Sequence, residues 1–96
     1  MERLLPDINN EFYDISDSRA VVREVQKFLL ELAYAYNYLP PVTIDGIYGD
    51  KTRQAVIIFQ NRYELPPTGE VNPRTWALLA DKFFQARDTR LNGNSI

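Results

Sequence analysis

The chain has 96 residues, of which 45% are hydrophobic and 12% aromatic, and its formal net charge is -2 at pH 7. This length and composition suit one domain with one core. Because the chain contains neither cysteine nor histidine, disulfides, the commonest zinc ligands and all catalytic groups built on thiol or imidazole are excluded. The slight excess of acids argues against a general electrostatic affinity for nucleic acid or anionic lipid.

The first 16 residues, MERLLPDINNEFYDIS, are predicted to form an extension with scattered apolar side chains. Acids and a proline interrupt this stretch where a secretory signal needs a continuous apolar run, and no segment of the sequence is apolar enough to span a bilayer. We therefore expect that the chain stays in the cytoplasm, leaves the cell by a non-classical route or is a piece of a longer protein.

Helix one is predicted within Ser16 to Tyr38, where apolar residues recur at spacings of three and four. Asp17 or Ser18 can cap its start. The helix must end before the two prolines at 40–41, which cannot continue its hydrogen-bond ladder. The apolar stripe consists of Val22, Val25, Leu29, Leu32 and Ala33.

Helix two is predicted from Asp50 to Arg62, with Gly49 as its N-cap. Helix three is predicted to start at Pro73, a residue suited to the first helical position, with Asn72 as its cap. The inward-facing positions are Ala55, Val56 and Phe59 in helix two, and Trp76, Leu79, Ala80 and Phe83 in helix three.

These elements predict an all-α fold, a compact three-helix bundle over residues 17–84. The N-terminal extension, residues 1–16, precedes the bundle. A frayed C-terminal tail, residues 85–96, follows it, because the sequence shows no apolar periodicity there.

The two turns that lead into helices two and three share one pattern. GIYGDKTRQAV and GEVNPRTWALL align without gaps 23 residues apart. Glycine and asparagine tolerate positive φ, so the same tight turn is predicted to launch both helices. The matched positions are Gly46 with Gly69, Gly49 with Asn72, and Thr52 with Thr75.

An ordered set of residues runs through all three predicted helices and both turns, including DGIYG at 45–49 and PRTWALL at 73–79. With this set the chain resembles the peptidoglycan-binding domain, a three-helix module of bacterial cell-wall hydrolases, over roughly residues 18–83. The other positions that carry the resemblance are Val22, Val25, Gln26, Leu29, Thr52, Ala55, Val56, Phe59, Gln60 and Gly69.

The resemblance implies a non-catalytic module that binds the glycan strand and stem peptide of peptidoglycan and targets or anchors an attached or associated protein, such as a cell-wall hydrolase, to the wall. It implies a location in the cell wall or outside the cytoplasm, and no cofactor, metal, nucleic-acid or membrane partner. Its structural positions here are Gly46, Phe59, Gly69, Pro73, Thr75 and Trp76.

The chain departs from the family pattern at two turns. Where the family usually has Gly-Leu, this chain has Glu64 and Leu65, and where the family has a second Asp-Gly, this chain has Thr68 and Gly69. The aromatic segment YAYNYLPP, residues 34–41, is also longer than the loop that the family has after helix one.

The candidate ligand-binding residues cluster around the first turn and the start of helix two. Asp45 has two interpretations, a catalytic acid or an Asx turn, and the absence of a convincing partner acid or base favours the turn and a non-enzymatic domain. The full set is Asp45, Tyr48, Gly49, Lys51, Thr52, Arg53, Tyr38 and Gln60.

The tyrosines among these candidates leave alternatives open. Tyr48 belongs either to the core, which is favoured, or to the rim of a groove where a sugar ring could stack. Tyr34 and Tyr38 are predicted one helical turn apart on one face. An exposed pair would be a binding platform, and a buried pair would be core. Trp76 is expected in the core.

The polar candidates also have two interpretations each. Gln26 and Gln60 are expected to tie neighbouring loops to their helices by side-chain hydrogen bonds, although either could face a ligand amide. Lys51, Arg53 and Arg74 lie near the helix starts, where they could pair with stem-peptide carboxylates or be solvated.

Two other functions use the same fold. The tyrosine-rich segment and the apolar extension motivate a protein interaction or assembly domain that does not bind glycan. The hypothesis of a helical DNA-binding module is supported only by the three predicted helices, and the excess of acidic residues argues against it.

Overall fold

A computed structural model of the protein describes residues 18–92. It contains three helices, α1 (Arg19–Ala35), α2 (Asp50–Arg62) and α3 (Pro73–Asn92), and no strand within the described residues. The predicted all-α three-helix bundle is therefore confirmed, and α2 has the predicted bounds. The predicted extension, residues 1–16, lies outside the described part of the chain.

Helix α1 begins and ends through local hydrogen bonds. Of the two predicted caps, Ser18 lies within the described residues, and its hydroxyl accepts a hydrogen bond from the Val21 N–H at 3.3 Å. At the other end, Tyr36 has an extended backbone and donates its N–H to the Leu32 carbonyl. The helix therefore ends earlier than the predicted limit at Tyr38, well before the prolines at 40–41.

The core forms where the predicted stripes meet. Val22, Val25, Leu29 and Leu32 are completely buried, and α1 packs most extensively against α3. At this contact the Phe28 ring lies 5.4 Å from the Trp76 ring and 4.7 Å from the Phe83 ring, measured between ring centroids. Trp76 is buried, so its expected place in the core is confirmed.

Helix α3 continues beyond the predicted end of the bundle at residue 84. Residues 85–92 are helical, where a frayed tail was predicted. The reason is that Ala86, which is buried, continues the stripe of Leu79 and Phe83 at helical spacing. The Arg87 guanidinium also lies 5.7 Å from the centre of the Phe83 ring. A single small apolar residue was too weak a signal to extend the sequence pattern.

The turn after α2 contains a strained backbone position. Glu64 has a φ of +61°, the left-handed region that disfavours residues with a Cβ atom, and the family pattern has glycine here. We expect Glu64→Gly to raise the free energy of unfolding by about 0.5–1 kcal/mol, because the steric cost disappears. Denaturant unfolding followed by Trp76 fluorescence measures this change.

The matched control is Glu24→Gly, which places the same substitution inside α1. This control is expected to lose about 1 kcal/mol, the usual cost of glycine in a helix. A loss of stability in both variants would contradict the interpretation of Glu64 as strained.

Candidate functional site

The first turn is held by the buried side-chain amide of Gln26. Its Oε1 accepts hydrogen bonds from the backbone N–H groups of Asp45 at 3.0 Å and Gly46 at 2.8 Å. Its Nε2 lies 3.1 Å from Asp45 Oδ1, 3.0 Å from the Ile47 carbonyl and 3.0 Å from Thr52 Oγ1. This confirms that Gln26 ties the loop to α1, and it fixes the loop relative to the start of α2.

The second turn repeats this arrangement around Gln60. Its Oε1 accepts from the Gly69 N–H at 2.9 Å, and its Nε2 lies 3.0 Å from the Glu70 carbonyl, 3.2 Å from Thr75 Oγ1 and 3.4 Å from Thr68 Oγ1. Gln60 is completely buried. The prediction of Gln60 as a ligand contact is therefore wrong, because its amide has no exposed surface and serves the turn.

Short polar side chains shape both turns in the same way. Asp45 Oδ1 accepts from the Ile47 N–H at 2.9 Å, which confirms the predicted Asx turn. In the second turn Thr68 Oγ1 accepts from the Glu70 N–H at 3.1 Å. Thr68 thus performs the local role of the aspartate that the family usually has there.

Two arginines complete the turns, and sequence reasoning missed this role for both. Arg19 Nη1 donates to the Asp45 carbonyl at 3.2 Å, and Arg53 Nη1 donates to the Gly69 carbonyl at 3.3 Å. Each arginine lies seven residues before its glutamine, Gln26 or Gln60. That repeated spacing is the signal that could have identified Arg19.

Tyr48 connects the first turn to the second. Its hydroxyl donates to the Gly69 carbonyl at 2.6 Å, and the Arg53 guanidinium lies 5.3 Å from the centre of its ring. The ring is half-buried and packs against the core. These contacts support the structural interpretation of Tyr48 over a sugar-stacking role.

A groove runs across the first turn of α2, and we call it the α2 groove. It consists of two depressions of about 410 Å³ and about 230 Å³ that share Asp50 and Lys51. Ile47, at the smaller depression, is 58% exposed and gives the groove an apolar surface. The larger depression is also lined by Pro40, Pro41 and Gln54, and the smaller by Thr43, Asp45, Ile47, Gly49 and Thr52.

The structure brings four of the predicted ligand residues to this groove and separates the others from it. Thr52 borders the groove but is almost buried, and its hydroxyl lies against Gln26, so it contributes little surface. Tyr48 and Arg53 face the second turn. The four residues at the groove are Asp45, Gly49, Lys51 and Thr52.

Tyr38 lies at the other end of α2. Its hydroxyl is 3.1 Å from that of Tyr63, the Arg62 guanidinium lies 4.6 Å from its ring centre, and the Tyr36 ring stacks on it at 5.9 Å. Burial raises the pKa of the Tyr38 phenol well above its usual value. Tyr38 lines neither depression of the groove, although it precedes Pro40 of the larger depression by two residues.

The predicted pairing of Tyr34 with Tyr38 on one helical face does not occur. Helix α1 ends at Ala35, and the extended backbone of Tyr36 turns the chain away from the helix axis. Tyr34 remains 71% exposed. The i, i+4 spacing predicted a shared face only because the helix was expected to continue.

The turn makes the stability of the domain depend on the ionisation of Asp45. Hydrogen bonds from the Ile47 N–H and from Gln26 hold the pKa of this carboxyl below its usual value of 3.8. A lowered folded-state pKa stabilises the fold above the usual pKa, and this stabilisation is lost as the pH falls through the lowered value. We therefore expect stability to fall in acid.

Asp45→Asn isolates this effect, because asparagine can still accept the Ile47 N–H but does not titrate in this range. Its stability should change less than that of the wild type as the pH falls from about 5 through 3.8, the usual pKa of the carboxyl, to below its lowered value. The same acid-induced loss in both proteins, measured by urea unfolding, would show that other carboxyls are responsible.

No helix in residues 18–92 combines the length and apolar character needed to cross a membrane. Residues 18–79, well over half of the chain, match the model of the family described as "Putative peptidoglycan binding domain". No curated protein and no solved structure was found to match the chain. The family match covers α1, α2, the first seven residues of α3, both glutamine-tied turns and the α2 groove, and it indicates peptidoglycan binding and association with the cell wall. The chain therefore belongs to the family of peptidoglycan-binding domains.

Proposed function

We propose that this domain targets or anchors an attached or associated protein to the bacterial cell wall by holding peptidoglycan in the α2 groove. The observation that carries this proposal is the groove itself. The Asp45 turn, held by Gln26, places the exposed side chains of Ile47 and Lys51 along one groove at the start of α2. Such a surface binds by shape, apolar contact and charge, without bond chemistry.

The chemistry of Asp45 supports binding over catalysis. Its Oδ1 serves the turn, and its lowered pKa keeps the carboxyl ionised at neutral pH. A general acid needs a proton near the working pH, so this carboxyl is poorly suited to that role.

The open groove predicts weak binding by a single domain. We expect a Kd between micromolar and millimolar, which corresponds to about 4–8 kcal/mol. Weak binding becomes effective when the domain is tethered to an enzyme or repeated in an assembly, because effective concentration multiplies avidity. Because a single weak site gains most from being tethered, we propose that the domain targets or anchors another protein.

Co-sedimentation with purified sacculi tests the proposal. The folded wild type should be retained at low salt, and Lys51→Glu should weaken retention about fivefold or more, because reversing an exposed charge changes binding by about 1 kcal/mol. Lys27→Glu on α1 makes the same charge change at an exposed position away from the groove and should bind like wild type. If folded wild type is not retained, the binding function is wrong.

Exposed aromatic side chains favour assembly as a second candidate function. Tyr34 is 71% exposed and Phe84 is 61% exposed, and neither borders the α2 groove. Size-exclusion chromatography with light scattering distinguishes the two functions. A monomer that binds sacculi and copurifies with no partner would contradict the assembly function.

A further inference from the structure

We propose that the α2 groove recognises the stem peptides of peptidoglycan and not its sugar rings. This inference rests on the proposed function and specifies which part of the polymer the same groove holds. The ligand would be a short peptide with small aliphatic side chains, a free carboxylate and a free ammonium group.

The first argument is that the groove lacks an aromatic platform. Among the described residues, those that line the two depressions include no aromatic ring. The nearest tyrosine in sequence, Tyr48, has Arg53 over its ring and its hydroxyl bonded to the Gly69 carbonyl. The ring and hydroxyl that a sugar would use, one for stacking and one for hydrogen bonding, are thus engaged within the protein.

The second argument is the apolar character of the groove. Pro40 and Pro41 are exposed and line the larger depression, and Ile47 is 58% exposed at the smaller one. Proline rings are rigid, so contact with them costs little side-chain entropy. These aliphatic surfaces match the methyl and methylene groups of a short peptide, whereas sugar hydroxyls would gain no hydrogen-bond partner from them.

The third argument is charge complementarity. Lys51 and Asp50 border both depressions, and Asp45 adds a second carboxylate at the smaller one. Asp45 Oδ1 accepts the hydrogen bonds of the turn, and the residue as a whole remains exposed. A ligand that lies across the groove therefore meets an ammonium group and carboxylates. A peptide with both charges can form ion pairs with both kinds of group, whereas a neutral sugar ring can only hydrogen-bond to them.

Amidase digestion of purified peptidoglycan supplies both probes. Hydrolysis of the linking amide releases stem peptides with a new terminal ammonium group and leaves peptide-free glycan strands that carry a carboxylate at each former attachment point. Each is titrated into the isotope-labelled full chain, with undigested soluble peptidoglycan fragments as a third ligand, and amide chemical shifts are followed. We expect the peptides to shift the amides from Ile47 to Thr52 and the glycan strands to bind at least tenfold more weakly. Glycan strands that bind as tightly as the peptides, or more tightly, would overturn the inference.

The three ligands separate the two proposals. If the undigested fragments bind and the free peptides do not, the stem-peptide inference fails and the proposed function stands. If no ligand binds to the folded chain, the proposed function fails as well.

A double-mutant cycle tests the charge pairing directly. Lys51→Gln and amidation of the peptide carboxylates should each weaken binding about threefold to tenfold, and together they should weaken it hardly further, because both remove the same pair. Lys27→Gln is the matched control. It should leave the affinity for the native peptide and the affinity for the amidated peptide unchanged. Additive losses would show that Lys51 does not pair with the carboxylate and would overturn this part of the inference.

Discussion

Replacing Gln60 with leucine is expected to lower the free energy of unfolding by about 3–5 kcal/mol. Leucine fills much of the same volume but cannot pair with the Gly69 N–H, the Glu70 carbonyl or the Thr75 hydroxyl, which Gln60 now satisfies. Gln60 is completely buried, so the Gly69 N–H and the Thr75 hydroxyl would lose this partner where water has little access, while the Glu70 carbonyl would keep only the Thr68 hydroxyl. Each buried polar group left without a partner costs about 1–3 kcal/mol.

The matched control is Gln54→Leu, at an exposed position on the same helix, where a change within about 0.5 kcal/mol is expected. Urea unfolding followed by Trp76 fluorescence gives both values. If Gln60→Leu is as stable as Gln54→Leu, the buried amide does not hold the second turn.

Replacing Gly69 with alanine is expected to lower the free energy of unfolding by about 2–4 kcal/mol. Gly69 has a φ of +79°, a conformation that costs about 1–2 kcal/mol for a residue with a Cβ atom. The new Cβ would also lie 2.8 Å from Arg53 Cγ and 3.3 Å from Ile57 Cγ1. Arg53 would have to move, and its hydrogen bond to the Gly69 carbonyl would weaken.

Gly49→Ala provides the comparison for this glycine. Gly49 has a φ of -99°, and a Cβ atom built there meets nothing within 4 Å. We expect its stability to stay within about 0.5–1 kcal/mol of the wild type. Glycine is a weaker N-cap than serine or aspartate, so its replacement by alanine loses less stability than the replacement of those residues would. Equal losses at the two glycines would mean that neither positive φ nor crowding determines the effect.

The sequence was sufficient to predict the fold because hydrophobic periodicity and capping residues gave the same answer in each helix. Helix α2 begins at Asp50 and ends at Arg62 as predicted, since glycine precedes it and a proline-rich turn follows. The equivalence of Gln26 and Gln60 was also visible, because each directly follows an apolar stripe residue of its helix, Val25 or Phe59. Paired polar residues beside apolar stripes were thus sufficient to predict the two tied loops.

The sequence was less informative where a contact depends on the path of the chain. The pairing of Tyr34 with Tyr38 assumed that α1 continues, whereas its last residue is Ala35. The α2 groove combines Pro40 and Pro41 with Lys51, and no local pattern relates residues that far apart in sequence. Burial likewise decided the role of the glutamine at position 60, because the residue type alone suits a loop tie and a ligand contact equally well.

The most direct test of a groove-based peptidoglycan-binding domain is amide chemical-shift mapping of the full chain with soluble peptidoglycan fragments. We predict that the largest shift changes occur from Ile47 to Lys51, with little change at Tyr63, at the far end of α2. Saturable changes confined to the tyrosine end of α2, or no change in a folded protein at millimolar ligand, would contradict the assignment of the α2 groove.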